Sequence, residues 1–368
     1  MKKILILPLF WTAIALAQTP ESPPPVRLAI VGLVHDHVRG VLQELSSRQD
    51  VQLVGVVEAN QEVVSYYADH YQLDRALVFP TIEALVAKTK VDAVATFTST
   101  FDHLKVVEAC APLGIDVMME KPLAVSMEHA RGIAAAAAKG KIQIIVNYET
   151  TWYPSVQRAY DLIEKRHALG ELHKIEVCDG HWGPKAIGCS PFFLDWLLDP
   201  TLDGGGALMD FGCYGADMVT WLMEGKRPTS VLAVTQNFQP EVYTKVDDEA
   251  TIVLTYPHAQ AIIEASWNWP HGRKDMDIYG QNGSMRLPAR DSLFMQMADE
   301  PEAKLPTPAL SDPNADSLSY LVAVVRGKMQ PSGLSSLGVN MVVTEILDAA
   351  RESAKTGKRV DLGGDTSQ

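Results

Sequence analysis

Two short segments carry side chains that chemistry could use. Glu120-Lys121-Pro122 closes the apolar run IDVMM (115–119). In an open α/β sheet ligands collect beyond the carboxyl ends of the strands, so a charged pair stiffened by proline at such an end faces a cleft. A surface lysine at a strand end is the plainer reading of the same residues. The second segment, DGGGALMDFGCYGADMVTWLMEG (203–225), places three glycines where a backbone can approach something closely. Asp210, Tyr214 and Asp217 follow at helical spacing, and Asp210 and Tyr214, four apart, share a helix face. A carboxylate and a phenol on an otherwise apolar helix are costly to bury without partners. The pair therefore marks either a site or a tyrosine that packs with its hydroxyl satisfied.

A third stretch, VGLVHDHVRG (31–40), lies where a first strand turns into a first helix. A dinucleotide-binding turn there reads G-x-G-x-x-G. Only Gly32 conforms. Leu33 follows it, Val34 stands at the second glycine and His37 at the third, with His35 and Asp36 between. The turn would still offer N–H groups to a pyrophosphate at a helix N-terminus, with the contact shifted by Val34 and with His35 or His37 reaching the phosphates. His35, Asp36 and His37 can also be read as metal ligands. No further ligand can be assigned from the sequence, and no metal is expected. Glu58 ends the second apolar run, where an acidic residue accepts the adenosine ribose hydroxyls. Its charge would repel a 2′-phosphate, so NAD is expected over NADP.

The elements that must position these residues follow from periodicity. Apolar runs at 26–33, 52–60, 91–99, 115–121 and 142–148 alternate with helical patterns, the mark of a doubly wound parallel sheet covered on both faces. This predicts an N-terminal Rossmann-type α/β domain over 26–149. From residue 150 the texture changes. HKIEVCDGH, TSVLAVTQNF, EATIVLTY, AQAIIEASWNW and KDMDIYG alternate in and out, and helical patterns return at SLSYLVAVVRG and VNMVVTEILDAARESAKTG. This predicts an α+β domain over 150–368 with a mainly antiparallel sheet.

The ordered series of motifs resembles the Gfo/Idh/MocA oxidoreductase family across nearly the whole chain. VDAVATFTSTFDHLKVVEACAPLGIDVMMEKPLAVS is similar to the family's run from the fourth strand through E-K-P. GGGALMDFGCYGADM is similar to its G-G-G-x-L-x-D-x-G-x-[HY] segment, and DIYGQNGSMRL to its I-x-G-x-x-G strand. The tyrosine at 214, where many members have histidine, resembles the glucose–fructose oxidoreductase and dihydrodiol dehydrogenase branches. The resemblance implies that Lys121 is the catalytic-site lysine and that Asp210 orients a substrate. It also implies that Thr98, Ser99 and His103 line the nicotinamide half of a dinucleotide site and that Glu120 binds the cofactor. For His103, a helix-terminal histidine bonded to backbone is the competing reading. An ordinary phenol, with a pKa of about 10, is a poor base. Tyr214 is therefore expected to accept the hydroxyl proton with its pKa lowered by Lys121. The implied activity is hydride transfer between a carbohydrate or polyol hydroxyl and NAD. Two alternatives stay open: an NAD-retaining glycosidase-type enzyme using transient oxidation, and a carbohydrate-binding protein with a degenerate nucleotide site.

Composition narrows the partners. The 368 residues carry 32 Lys and Arg against 45 Asp and Glu, a formal charge of −13 that disfavours nucleic acid and anionic lipid. MKKILILPLFWTAIALAQ (1–18) has the basic start, short apolar stretch and small-x-small end of a secretory signal peptide cut after Ala17. A Pro-rich leader (18–25) follows. A periplasmic or secreted chain without a membrane anchor is expected. Export permits disulfides, and Cys178 and Cys189 are the cysteines closest in sequence, while Cys110 and Cys213 read as small buried hydrophobes. Trp152, Trp182, Trp196, Trp267 and Trp269 fall in the second domain, where aromatic faces suit sugar rings but more often pack in a core. A broad second-domain sheet also implies, by the same family resemblance, a homo-oligomer.

Overall fold

The computed structural model describes residues 23–363. The expected signal segment (1–17) and the leader through residue 22 lie outside the described residues. The first sheet is built from β1 (Val26–Val31), β2 (Val51–Val57), β3 (Val78–Phe79), β4 (Ala93–Thr96), β5 (Asp116–Glu120) and β6 (Ile144–Asn147). All its pairings are parallel and the order is β3-β2-β1-β4-β5-β6. β1 and β4 are neighbours from which the chain winds outward in opposite directions, so the segments after them open a crevice at the switch point. The turn after β1, the segment after β4 and Lys121 at the end of β5 therefore meet on one edge. Helices cover both faces, and β4 is buried at every position, as its unbroken apolar run requires.

The second sheet contains β7 (Leu172–Gly180), β8 (Ser230–Gln236), β9 (Glu249–Thr255), β10 (Gln260–Ser266), β11 (Arg273–Gly280), β12 (Gly283–Ala289), β13 (Ser292–Met297), β14 (Ala303–Leu305) and β15 (Val360–Asp361). Its order is β14-β13-β12-β11-β7-β10-β9-β8-β15. It is antiparallel except where β7 and β10 run parallel. Alternate residues of β9 are buried, as expected of a sheet with one covered face. The helices Gly212–Leu222 and Leu337–Thr356 supply that cover, with Val219, Leu222, Val343, Ile346 and Leu347 joining Ile252, Leu254 and Ile263 in one core.

One expectation needs correction. The helix Ser317–Val325 was expected to stay within the second domain. Instead its Leu318, Leu321 and Val322 pack in one cluster with Leu28 and Ile30 of β1. Arg48 pins the helix start through Asp316 (2.9 Å) and Ser319 (3.1 Å). The chain thus returns to complete the first domain, a long-range pairing that local periodicity does not contain. The question left open for Cys178 and Cys189 is answered by free thiols, as at Cys110 and Cys213. No helix of the described residues is long and apolar enough to cross a membrane.

Candidate active site

A cavity of about 620 Å³ lies between the two sheets, lined among others by Lys121, Asp210, Tyr214, His181, His37 and Lys274. Lys121 is buried, and its Nζ donates to the carboxylate of Asp210 at 2.5 Å and to the Asp210 carbonyl at 2.9 Å. Trp267, itself fully buried, donates Nε1–H to the other Asp210 oxygen at 2.9 Å. Burial works against the Lys121 charge, but Asp210 outweighs it and holds the amine above its usual value. Burial likewise works against the Asp210 charge, and Lys121 overrides it, leaving that carboxyl below the usual range. The two form an ion pair fixed from three sides, a rigid centre with spare ammonium donor capacity.

Tyr214 stands beside this pair. The Lys121 Nζ lies 5.0 Å from its ring centroid and the Lys274 Nζ 4.5 Å. Both cations meet the ring face, and two of the three Lys121 donors go to Asp210. The expected lowering of the Tyr214 pKa is not found: burial, with Glu149 and other acidic neighbours, pushes it well above its ordinary value. Tyr214 is therefore a neutral phenol that donates. The single helix expected to carry Asp210 and Tyr214 on one face is also broken. Asp210 ends a short turn, Ala207–Asp210, Phe211 interrupts, and Tyr214 belongs to Gly212–Leu222. Both side chains still line the same cavity. The glycine run before them approaches Asp247. A Cβ on Gly206 would fall 1.9 Å from the Asp247 carbonyl oxygen, and the Asp247 carboxylate accepts from the N–H groups of Gly206 and Leu208.

The turn after β1 has two faces. On one, Gly32 takes a φ of +80°, and a Cβ there would lie 2.6 Å from Thr98 Cγ2, so glycine is required by the fold itself. Gly32, Val34, Glu58 and Thr98 border a groove of about 360 Å³. The Glu58 carboxylate accepts from Leu33 N–H at 3.1 Å and Asn60 N–H at 2.9 Å, with lone pairs left for hydroxyls. These residues fit the adenosine half of a dinucleotide. The pyrophosphate expectation fares differently. Besides the Leu33 N–H, that of His35 donates to the Phe97 carbonyl (3.0 Å) and that of His37 to His35 Nδ1 (3.3 Å). A second-domain segment also lies over the turn. Ser190 donates N–H and hydroxyl to Asp36 at 2.7 and 2.6 Å, and Trp196 donates Nε1–H to the Val34 carbonyl at 3.3 Å.

On the other face, His35 is buried against His37, Phe193 and Trp196, and burial lowers its pKa well below the usual value. His37 keeps 47% of its side chain exposed, and its Nδ1 lies 2.9 Å from an oxygen of the buried Glu120. Burial raises the Glu120 pKa, but His37 and Asn147 outweigh it and hold it low. An ionised carboxylate only accepts, so His37 donates from Nδ1. The other Glu120 oxygen accepts from Asn147 (2.9 Å), whose own side-chain oxygen accepts from Trp152 (2.9 Å). Ser99 donates to Asp102 at 3.0 Å, and Thr98 lies at the groove. His103 is buried, with Nδ1 3.2 Å from the Leu123 carbonyl oxygen, the backbone-bonded arrangement, and burial pushes its pKa down to about 4.

Sequence reasoning missed His181, Lys274 and Glu149, and it singled out Trp267 without its bond to Asp210. His181 accepts Gly183 N–H at Nδ1 (3.0 Å), and Lys274 pairs with Glu149. Of the five tryptophans singled out in the sequence, Trp152, Trp196, Trp267 and Trp269 each donate an indole hydrogen bond that positions a neighbour, and Trp182 is exposed.

Two family models match this chain. The oxidoreductase-family NAD-binding Rossmann fold covers residues 26–148, and the GFO/IDH/MocA C-terminal domain covers 156–286. The chain belongs to the Gfo/Idh/MocA oxidoreductase family. Its first domain is the family's NAD-binding Rossmann domain. A trans-1,2-dihydrobenzene-1,2-diol dehydrogenase of Xenopus laevis is 26% identical over 312 residues, 82% of this chain and 90% of that protein. A D-xylose 1-dehydrogenase [NADP(+)] of Haloarcula marismortui is 25% identical over 265 residues, 72% of each chain. Among solved structures, the aldose-aldose oxidoreductase of Caulobacter crescentus superposes with a TM-score of 0.77 at 22% identity, covering 92% of this chain and 100% of that one. That likeness establishes the fold.

Proposed function

We propose that this Gfo/Idh/MocA member transfers hydride between a carbohydrate or polyol hydroxyl and a nicotinamide dinucleotide. The observation that carries the reading is the buried Lys121–Asp210 ion pair beside the neutral Tyr214 phenol in one cavity. The similar proteins named for diol and D-xylose dehydrogenase activity support the substrate class. Glu58, Gly32 and Thr98 would hold the dinucleotide at its adenosine end, and that cofactor supplies the hydride chemistry. Lys121 and Tyr214 orient the substrate oxygen and donate to it, which suits them to protonate a carbonyl being reduced. In the reverse direction the hydroxyl proton returns to whichever of the two gave one up in reduction, as hydride leaves the carbon. Asp210 keeps the ammonium in place and charged. Glu58, whose charge repels a 2′-phosphate, favours NAD over NADP.

The basic start, apolar stretch and small-x-small end of residues 1–18 support export to the periplasm or beyond. An N-terminus beginning at Gln18 in the secreted protein is the expected result, and an intact Met1 in the purified periplasmic fraction would contradict it. The functional test is calorimetry with NAD⁺ and NADP⁺, followed by nicotinamide reduction across a panel of sugars and polyols. Tighter binding of NAD⁺ and turnover of a polyhydroxylated substrate are expected. Absence of both nucleotide binding and turnover would overturn the reading. The engaged amides of Leu33, His35 and His37 favour a second reading, a carbohydrate-binding protein, which sugar binding without nucleotide binding would establish.

A further inference from the structure

His35 and His37 enter the cleft from the turn after β1 and Glu120 from the end of β5. One ligating atom from each lies within 4.8 Å of the others. We propose that His35, His37 and Glu120 bind a divalent transition metal, with zinc the metal best matched to two imidazoles and one carboxylate.

Three features of the cluster argue for a built site. His35 is 1% exposed, yet its Nε2 has no hydrogen-bond partner. A buried imidazole nitrogen left unpaired is costly. Coordination at Nε2 would supply that partner once the ring proton moves to Nδ1, which gives up its 3.3 Å contact with the His37 N–H. Glu120 is equally enclosed, and its second oxygen is oriented by Asn147, which Trp152 orients in turn. Such an outer shell is how proteins aim a ligating carboxylate. Asp36, which the sequence alone groups with the two histidines, is turned away and held by Ser190 and Arg39. The donors are therefore a His-x-His pair plus a carboxylate distant in sequence, a set used at catalytic zinc sites that keep an open position.

The distances are compatible with closure around an ion. Tetrahedral bonds of about 2.0–2.1 Å place ligand atoms roughly 3.4 Å apart. The His37–Glu120 pair at 2.9 Å would open slightly as the metal replaces the shared Nδ1 proton. The wider member of the set would close by on the order of 1 Å. Exposed His37 has the freedom to move. His35 and His37 line the cavity that also holds Lys121 and Tyr214, so an ion held there could take an oxygen donor from it, either water or a hydroxyl or carboxylate of the substrate. The groove at Glu58 lies on the opposite face of the turn and shares no lining residue with this cavity. Adenosine binding and metal binding therefore do not compete for the same side chains.

The test is elemental analysis of the chain purified without a histidine tag, followed by calorimetric titration of the chelator-stripped protein with Zn²⁺. One ion per chain is expected. His37→Ala, at an exposed side chain, and the isosteric Glu120→Gln should each weaken Zn²⁺ binding at least about 100-fold, while Asp36→Asn should leave it unchanged. No saturable Zn²⁺ binding by the wild-type chain would overturn the proposal, as would equal affinity in the wild type and both ligand variants. Metal content is read without turnover. A chain that binds Zn²⁺ but reduces no nicotinamide would refute only the oxidoreductase reading.

Discussion

Lys121 and Asp210 are the residues on which the site depends, and their burial makes them a sensitive pair. Removing one partner leaves the other charge enclosed, a cost of about 3–5 kcal/mol, whereas replacing both by neutral groups is far milder. Lys121→Met and Asp210→Asn should each destabilise the fold by that amount, read from the urea denaturation curve, and slow turnover at least about 100-fold. The double variant should recover most of the stability and none of the activity; additive losses would show that the two do not act as a pair. His103 gives a pH signature. Its folded pKa of about 4 lies below the ordinary 6.5, so below pH 6.5 the unfolded chain takes up a proton that the folded chain refuses. Stability from this group is complete above pH 6.5 and falls by about 3 kcal/mol as the pH drops to 4. Urea midpoints measured across that window should fall more steeply in the wild type than in His103→Gln, and parallel curves would contradict the assignment. Lys121, Asp210 and Tyr214 were legible in the sequence because charged groups in apolar segments are conspicuous. The state of Tyr214 was not, because it depends on burial and on Glu149 and other acidic neighbours that only the folded chain brings to the phenol.

Among the elements, the parallel strands were readable because strands buried on both faces are unbroken apolar runs. β3, only two residues long, carries no such signal, and β12 to β15 lie where short strands and turns blend. The segment over the β1 turn was invisible for another reason. Ser190 looks like a helix cap and is one, accepting from Phe193 N–H at 3.1 Å, but it also donates to Asp36 from across the domain boundary. Ser190→Ala loses both contacts at once. It should cost about 1–2 kcal/mol, read from the urea midpoint, and Asp36→Asn should add little further once Ser190 is gone. Fully additive losses would show that the serine acts as a cap alone. The helix Ser317–Val325 makes the same point: its periodicity announces a helix, and nothing local announces that its apolar face belongs on β1.

At the level of the whole molecule, the second sheet leaves Leu232 and Val234 of β8 and Tyr279 of β11 exposed. We propose that this face supports a homo-oligomer. Sedimentation should show an assembly that Leu232→Lys with Val234→Lys dissociates, and a monomeric wild type would contradict it. The change of pattern along the chain separates the two sheets, while the return of the helix Ser317–Val325 to the first of them depends on packing that only the folded chain reveals. The cleft unites Lys121 from the first domain with Asp210 and Tyr214 from the second, so the site exists only when the domains are assembled. The most direct test of the central claim is the rate of nicotinamide reduction with a polyol or aldose substrate, in the wild-type chain and in Lys121→Met. The account predicts reduction by the wild type and a loss of at least about 100-fold in the variant. Equal rates in the two proteins, or no reduction with any substrate despite measurable nucleotide binding, would contradict it.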